Sequence, residues 1–317
     1  MSGPSAPAWP GEEPTADAAG ASRSGADAAR VSHAATDASW SAADARLLAA
    51  ARTGVACAPV RELIGETNQD AAYAVQSLGI DRLLADGRRI VGRKIGLTSP
   101  AVQAQFGVYS PDYGVLLDDM VFADREPIDL GRFLQPRVEA EVAFVLGHDL
   151  DSETANVADV IRATEFVLPA IEVVDSRIAG WDIRITDTIA DNASSGAVVL
   201  GTTSHRLDGL DLADVGMRLD HRGEPVSVGS GAACLGNPVI AVAWLARAVA
   251  RHGRPLRAGE VILSGALGPM VAATEGVFHA RLAGLGEVRA DFIRTAAAPA
   301  ATGTVPSSTA PTEGAAA

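Results

Sequence analysis

Two glutamates separated by one residue, Glu139 and Glu141 in RVEAEVAFVL, are the first positions where residue type and spacing could do chemistry. Side chains alternate along a β-strand, so Val138, Ala140, Val142, Phe144 and Leu146 would share one face and the two carboxylates would project together from the other. An isolated Glu-x-Glu ordinarily marks a solvent-facing strand edge. Here Val145 continues the glutamate face, which points to a covered surface, and repelling carboxylates under cover need a cation. Glu172 interrupts the apolar run FVLPAIEVV, where an unpaired carboxylate would be expensive to bury. It would either join the first two around a cation or pair with nearby Arg177. Three oxygen donors without His or Cys would suit a hard ion, Mg²⁺ or Mn²⁺, rather than Zn²⁺, and would leave coordination positions open for a substrate.

The elements that must position these residues follow from local pattern. Ser41 is a candidate N-cap for a helix over AADARLLAAA, a second helix is expected around AAYAVQSLG, and RRIVGRKIGLTS reads as a strand entering a turn. Ser99 and Pro100 would then open a short helix, AVQAQF. From Val115 onward short β-type runs dominate: VLLDDMVF, RVEAEVAFVL, EFVLPAIEVV, GAVVLG, a hairpin across MRLDHRGEPVSV, EVILSG and EVRADFI. One strong amphipathic helix, VIAVAWLARAVARHG, lies among them, entered through Asn237 and Pro238 and left at Gly253. Helices first and strands later predict an α+β protein.

The chain has 317 residues, 48% of them hydrophobic, enough for one substantial core. Residues 1–39 and 295–317 are rich in Ala, Ser, Gly and Pro and poor in branched aliphatics, so they are expected to be disordered tails around one domain over 40–294. A net charge of −13 with scattered Arg excludes nucleic-acid backbone binding as a function class. No run suggests a membrane span or a secretory signal, and the two cysteines, Cys57 and Cys234, are read as packing residues of a cytoplasmic protein. His148, His205, His221, His252 and His279 sit beside turns or charges and are read as surface.

The words GRKIGLTSPAVQAQFGV, SPDYGVLLDDM, PRVEAEVAFVL, AIEVVDSRIAGWDIRITDTIADNASSG, GAACLGNP and GEVILSGALGPM, in this order, resemble the 2-keto-4-pentenoate hydratases of the fumarylacetoacetate hydrolase superfamily. The resemblance covers about Leu47 to Phe292. It implies a mixed, largely antiparallel β-roll with peripheral helices, and a metal site with Glu139, Glu141 and Glu172 as ligands. It further implies hydration of 2-hydroxypenta-2,4-dienoate, a small 2-hydroxydienoate or 2-oxo acid substrate, to 4-hydroxy-2-oxopentanoate in bacterial meta-cleavage of aromatic compounds. Homo-oligomers, and association with the next enzyme of the pathway, are expected with it.

Within that resemblance Lys94, after an apolar strand segment, is the candidate for proton transfer or enolate stabilisation, with a pKa that a neighbouring cation would depress. Against this stands a lysine snorkelling at a strand end. Asp112, in a loop SPDYG expected over the site, is the second acid-base candidate, though Pro-Asp before a Gly is also ordinary turn chemistry. Ser194 in ADNASSG, and Ser264 with Gly265 in SGALGP, could grip a substrate carboxylate, or could simply build loops. The alternating charges of Asp175, Arg177, Asp182, Arg184 and Asp187 read as a solvated, mutually paired segment, part of which the resemblance would assign to pocket or subunit contact. The competing activities are a 2-oxo-3-hexenedioate decarboxylase, a β-diketone hydrolase, for which no His-Glu pair is found, and a non-catalytic partner subunit.

Overall fold

The computed structural model describes residues 37–99, 103, 108 and 110–295. In chain order the helices and strands are α1 (37–53), α2 (Arg61–Ile64), α3 (Gln69–Ala85), β1 (Ile90–Gly96), β2 (Asp112–Leu117), β3 (Val121–Ala123), β4 (Pro127–Asp129), β5 (Arg137–Leu146), α4 (Val157–Ala163), β6 (Thr164–Val174), α5 (Ile185–Ala190), β7 (Ser195–Leu200), β8 (Gly216–His221), β9 (Glu224–Ser230), α6 (Pro238–Arg251), β10 (Val261–Leu263), β11 (Val271–Ala272), β12 (Gly276–Leu282) and β13 (Gly286–Ile293). Apart from 37–39 and Thr295, the expected tails lie outside the described residues, as does the expected helix AVQAQF apart from Gln103.

Local chemistry sets several boundaries. Asn237 accepts the Val239 N–H at the start of α6, with Pro238 in its first turn, and Asn68 accepts the Ala71 N–H at the start of α3. Asn156 and Asp159 form a reciprocal capping box on α4. The β8–β9 hairpin turns through Arg222 and Gly223, whose φ values of 54° and 86° match the twist of the flanking strands. Ser41 lies inside α1 rather than at its cap, because the Asp-Ala-Ser-Trp stretch before it is already helical.

The architecture is α+β, with two mixed, mostly antiparallel sheets. The larger runs β2-β1-β10-β5-β6-β7-β3, with β11 against the start of β5; the smaller runs β4-β13-β12-β8-β9. Among the described strands, β1/β10, β3/β7 and β4/β13 pair in parallel and the other pairs are antiparallel. The core lies between the sheets and α6. Val138, Ala140, Val142 and Phe144 of β5 meet Ile171 and Val173 of β6, Phe278 and Ala280 of β12, and Val242, Leu245 and Val249 of α6. Each large side chain buried this fully contributes about 1.5–3 kcal/mol. The stretch 231–251 is long and apolar enough to cross a bilayer, but Ala241, Val242, Leu245, Ala246 and Val249 are spent in this core. Since one face of β5 and β6 is committed to the core, the alternate residues must all emerge on the opposite face.

Candidate active site

Glu139 and Glu141 share that opposite face of β5, and the antiparallel register sets Glu172 of β6 directly across from Glu139. One ligand atom from each of the three carboxylates lies within 4.8 Å of the others. Glu141 and Glu172 are fully buried and Glu139 is half-buried. Farther along, the same face becomes apolar through Ala143, Leu168, Ala170, Val198 and Leu263. This is the covered surface expected from Val145.

A second pair of strands brings in the other charged groups. Lys94 of β1 is buried, with Nζ 3.2 Å from Glu172 Oε1, an ion pair without hydrogen-bond alignment. Arg177, the alternative partner for Glu172, pairs instead with the buried Asp191. Asp112 is the first residue of β2 rather than part of a loop, because Gly96 and Lys94 of β1 pair across from Asp112 and Gly114. Its Oδ2 accepts from Thr188 Oγ1 of α5 at 3.1 Å, while Oδ1 has no partner. Position 96 requires glycine: a Cβ there would lie 2.2 Å from Asp112 Oδ1 and 3.5 Å from Lys94 Nζ. The missing side chain leaves the space in which the carboxyl and the ammonium approach each other.

The loop after β10 supplies the next contacts. Gly265, at φ 112°, donates its N–H to Glu141 Oε2 at 2.7 Å, and a Cβ at this position would lie 2.3–2.9 Å from the Thr98 side chain. The Gly265 amide is therefore directed at a carboxylate of the trio. Ser264 is buried, with an unpartnered Oγ, and its carbonyl accepts from Cys234 Sγ at 2.8 Å. Burial pushes the Cys234 thiol up to about 12, consistent with a packing residue. Ser194 ends three consecutive residues with φ near 50° (Asn192, Ala193, Ser194) in a strained turn packed against β1, β2 and α5. Its hydroxyl is also buried without a partner. A cavity of about 400 Å³ opens beside Glu139, lined by Leu97, Thr98, Val228, Leu267 and Met270.

The carboxyl groups gathered here raise one another's proton affinity. Burial, then Glu172, push the Glu139 carboxyl up to about 7; burial, Glu172 and Glu139 carry Glu141 well above the usual carboxylate range. Burial also raises Glu172 and Asp112, with Lys94 opposing both. Burial alone would lower the Lys94 pKa, but Glu172, Asp112, Glu139 and Glu141 outweigh it, and Lys94 sits above its ordinary value. In the protein alone it is thus an ammonium, and a cation held by the glutamates would act in the opposite direction, lowering its pKa. One ammonium faces four carboxyl groups. Glu141 Oε1 and both Glu172 oxygens are buried without hydrogen bonds, and hard oxygen donors in this state fit a hard divalent cation.

The charged segment after β6 is not solvated throughout. Asp187 is buried and accepts from the Val60, Arg61 and Arg184 N–H groups and the Arg61 guanidinium, tying α2 to α5. Asp175 is buried and accepts from the Leu134 and Gln135 N–H groups. Asp182 and Arg184 are exposed. Thr98, Arg137 and Thr188 were not singled out from sequence. The Asp three residues after Arg184 was a usable start signal for the helix that carries Thr188.

Residues 93–293 match the fumarylacetoacetate (FAA) hydrolase C-terminal family. Among curated proteins, the chain is 61% identical to a TodF product hydratase of Pseudomonas putida, over 78% of this chain and 93% of the relative. It is 56% identical to a 2-keto-4-pentenoate hydratase of Paraburkholderia xenovorans, over 78% and 92%. Among solved structures, a 4-oxalocrotonate decarboxylase from Pseudomonas putida, complexed with magnesium and adipate, superposes with a TM-score of 0.77 at 34% identity, over 81% of this chain and 98% of that one. The chain therefore belongs to the fumarylacetoacetate hydrolase family, in its 2-keto-4-pentenoate hydratase branch.

Proposed function

We propose that this protein is a metal-dependent hydro-lyase that adds water to 2-hydroxypenta-2,4-dienoate, giving 4-hydroxy-2-oxopentanoate in aromatic meta-cleavage catabolism. Glu139, Glu141 and Glu172 would hold Mg²⁺ or Mn²⁺. The observation that carries this reading is the buried trio itself, with oxygens lacking partners, placed between Lys94 and a cavity of about 400 Å³. The hydratases at 56–61% identity and the magnesium in the decarboxylase complex support it.

The first stage moves a proton from the 2-hydroxyl to C5, leaving a C3=C4 double bond conjugated with the new ketone. In the second, the oxygen of water adds to C4 and a proton to C3. When bound, the divalent ion would supply Lewis-acid stabilisation of the charge that builds on the substrate's C2 oxygen. The Lys94 ammonium donates to that oxygen in both stages, where a charged donor is worth most in a buried site. Asp112, whose proton affinity is raised by burial, takes the hydroxyl proton and returns one to carbon. Ser194 and Ser264 offer their free hydroxyls to the substrate, and Gly265 acts through Glu141. A homo-oligomer working in the cytoplasm, alongside the next enzyme of the pathway, completes the reading.

The similarity to the decarboxylase favours 2-oxo-3-hexenedioate decarboxylation as the second reading. The test is to supply both substrates with Mg²⁺ or Mn²⁺, following dienoate absorbance, product identity and CO₂ release. Water addition to the monocarboxylate is the expected result; CO₂ release without hydration would replace the proposed activity with the second.

A further inference from the structure

Arg137 lies two residues before Glu139 and so shares its face of β5. Its guanidinium stacks 4.5 Å from the centre of the Trp181 ring, and Nη1 is 3.9 Å from Met270 Sδ. The indole is itself held, since Trp181 Nε1 donates to the Gln135 carbonyl at 3.2 Å and the neighbouring Gly180 N–H donates to Gln135 Oε1. Met270 lines the same cavity as Glu139. No carboxylate among the described residues forms an ion pair with Arg137, although Arg61, Arg93 and Arg177 are each paired. A planar cation is thus held between an aromatic face and the thioether of a residue that lines the cavity, with no carboxylate paired to it among the described residues.

We propose that Arg137 binds the carboxylate of the 2-oxo acid, fixing which end of the substrate lies toward Glu139. The guanidinium fork matches a carboxylate in shape and charge, and stacking on Trp181 removes much of the rotamer freedom that binding would otherwise cost. The inference rests on the reading of the cavity as a site for small 2-oxo acids. The competing explanation is that Arg137 merely offsets the charge of Glu139, on which it acts electrostatically.

The two are separated by calorimetry on full-length wild type, Arg137→Met and Arg137→Lys. Mg²⁺ is titrated first; 2-oxopentanoate, which has no carbon–carbon double bond to hydrate, is then titrated into the Mg²⁺-loaded protein. Arg137→Met should weaken 2-oxopentanoate binding and raise KM for the dienoate by about 10–100-fold, with Mg²⁺ affinity in the absence of ligand within about threefold and kcat less affected than KM. Arg137→Lys should recover part of the loss, and 2-oxopentanamide should bind all three proteins equally weakly. Unchanged 2-oxopentanoate affinity in Arg137→Met would overturn the proposal, as would a wild type that does not bind this ligand. A fall in Mg²⁺ affinity as large as the fall in ligand affinity would assign Arg137 to Glu139 instead. If wild type binds 2-oxopentanoate through Arg137 but leaves the dienoate unchanged, the hydratase reading fails and this one stands.

Discussion

Glu139 of β5 and Glu172 of β6 are direct cross-strand partners on the covered face of the larger sheet. Like charges directly opposite one another destabilise a strand pair even at a surface. Here Glu141 joins them, and Lys94 is the one cation in ion-pair contact with Glu172 among the described residues. Such an arrangement is stable only where protons or a metal ion supply the missing positive charge.

Replacing Glu141 with Gln keeps an acceptor for the Gly265 N–H while removing one charge from the cluster. Metal affinity is expected to fall by about 100-fold or more and turnover with it, as for loss of a coordinating charge. The melting temperature of the metal-free protein should hold or rise, because a destabilising buried charge has gone. Calorimetric Mn²⁺ titration beside thermal unfolding checks both; a variant that melts lower without metal and still binds it would remove the cluster from the account.

Protons and metal must compete at this site. The Glu139 carboxyl titrates at about 7 in the folded protein against an ordinary 4.5. Its proton-linked contribution to stability is therefore fully present below 4.5 and lost as pH rises through about 7. The metal-free protein should melt at lower temperature at pH 8 than at pH 5.5, with Mg²⁺ restoring the difference. Apparent Mg²⁺ affinity should weaken as pH falls below about 7, with protons released on binding. Unfolding scans across this range with and without Mg²⁺ would show the crossing; parallel curves would deny the coupling.

Lys94→Met separates catalysis from metal binding. Removing the ammonium takes away the donor proposed for the C2 oxygen, so kcat should fall by about 10²–10³. The three glutamates lose a competing cation, so Mg²⁺ should bind as tightly as in wild type or more tightly. Reduced Mg²⁺ affinity with unchanged kcat per metal-loaded site would make Lys94 structural.

Thr188→Val removes the hydrogen bond that Thr188 Oγ1 donates to the Asp112 carboxyl, a contact of 3.1 Å across two elements. Loss of that bond should raise the Asp112 pKa further, since the bond favours the charged form. The acidic limb of the kcat profile should move to higher pH and kcat at neutral pH should fall by about 10-fold. A pH–rate profile superposable on wild type would take Asp112 out of the proton-transfer step.

How much of this could be read from sequence differs by residue. The spacing of Glu139 and Glu141 on an alternating strand is local, and β5 has the same bounds in the structure as the run RVEAEVAFVL. Glu172 is not local: its place opposite Glu139 depends on the register of β5 against β6, which includes an irregularity between Val145 and Leu146 that no pattern in either run announces. Asp112 is legible as an acid-base candidate, but the sequence sets it in a loop, since Pro-Asp and a following Gly favour turns, whereas pairing with β1 draws it into β2. Thr188 and Arg137 gain their placement only from tertiary contacts, with Asp112 in one case and with Trp181 and Met270 in the other. Strand β12, absent from the expected elements, carries a local signal of its own, since Phe278, Ala280 and Leu282 alternate inward.

The most direct test is an anomalous difference map from crystals of the full chain grown with Mn²⁺. The account predicts one strong peak bounded by Glu139, Glu141 and Glu172, at about 2.1–2.2 Å from an oxygen of each, the distance hard divalent ions take. No peak among these three carboxylates in crystals of protein that hydrates the dienoate would contradict it.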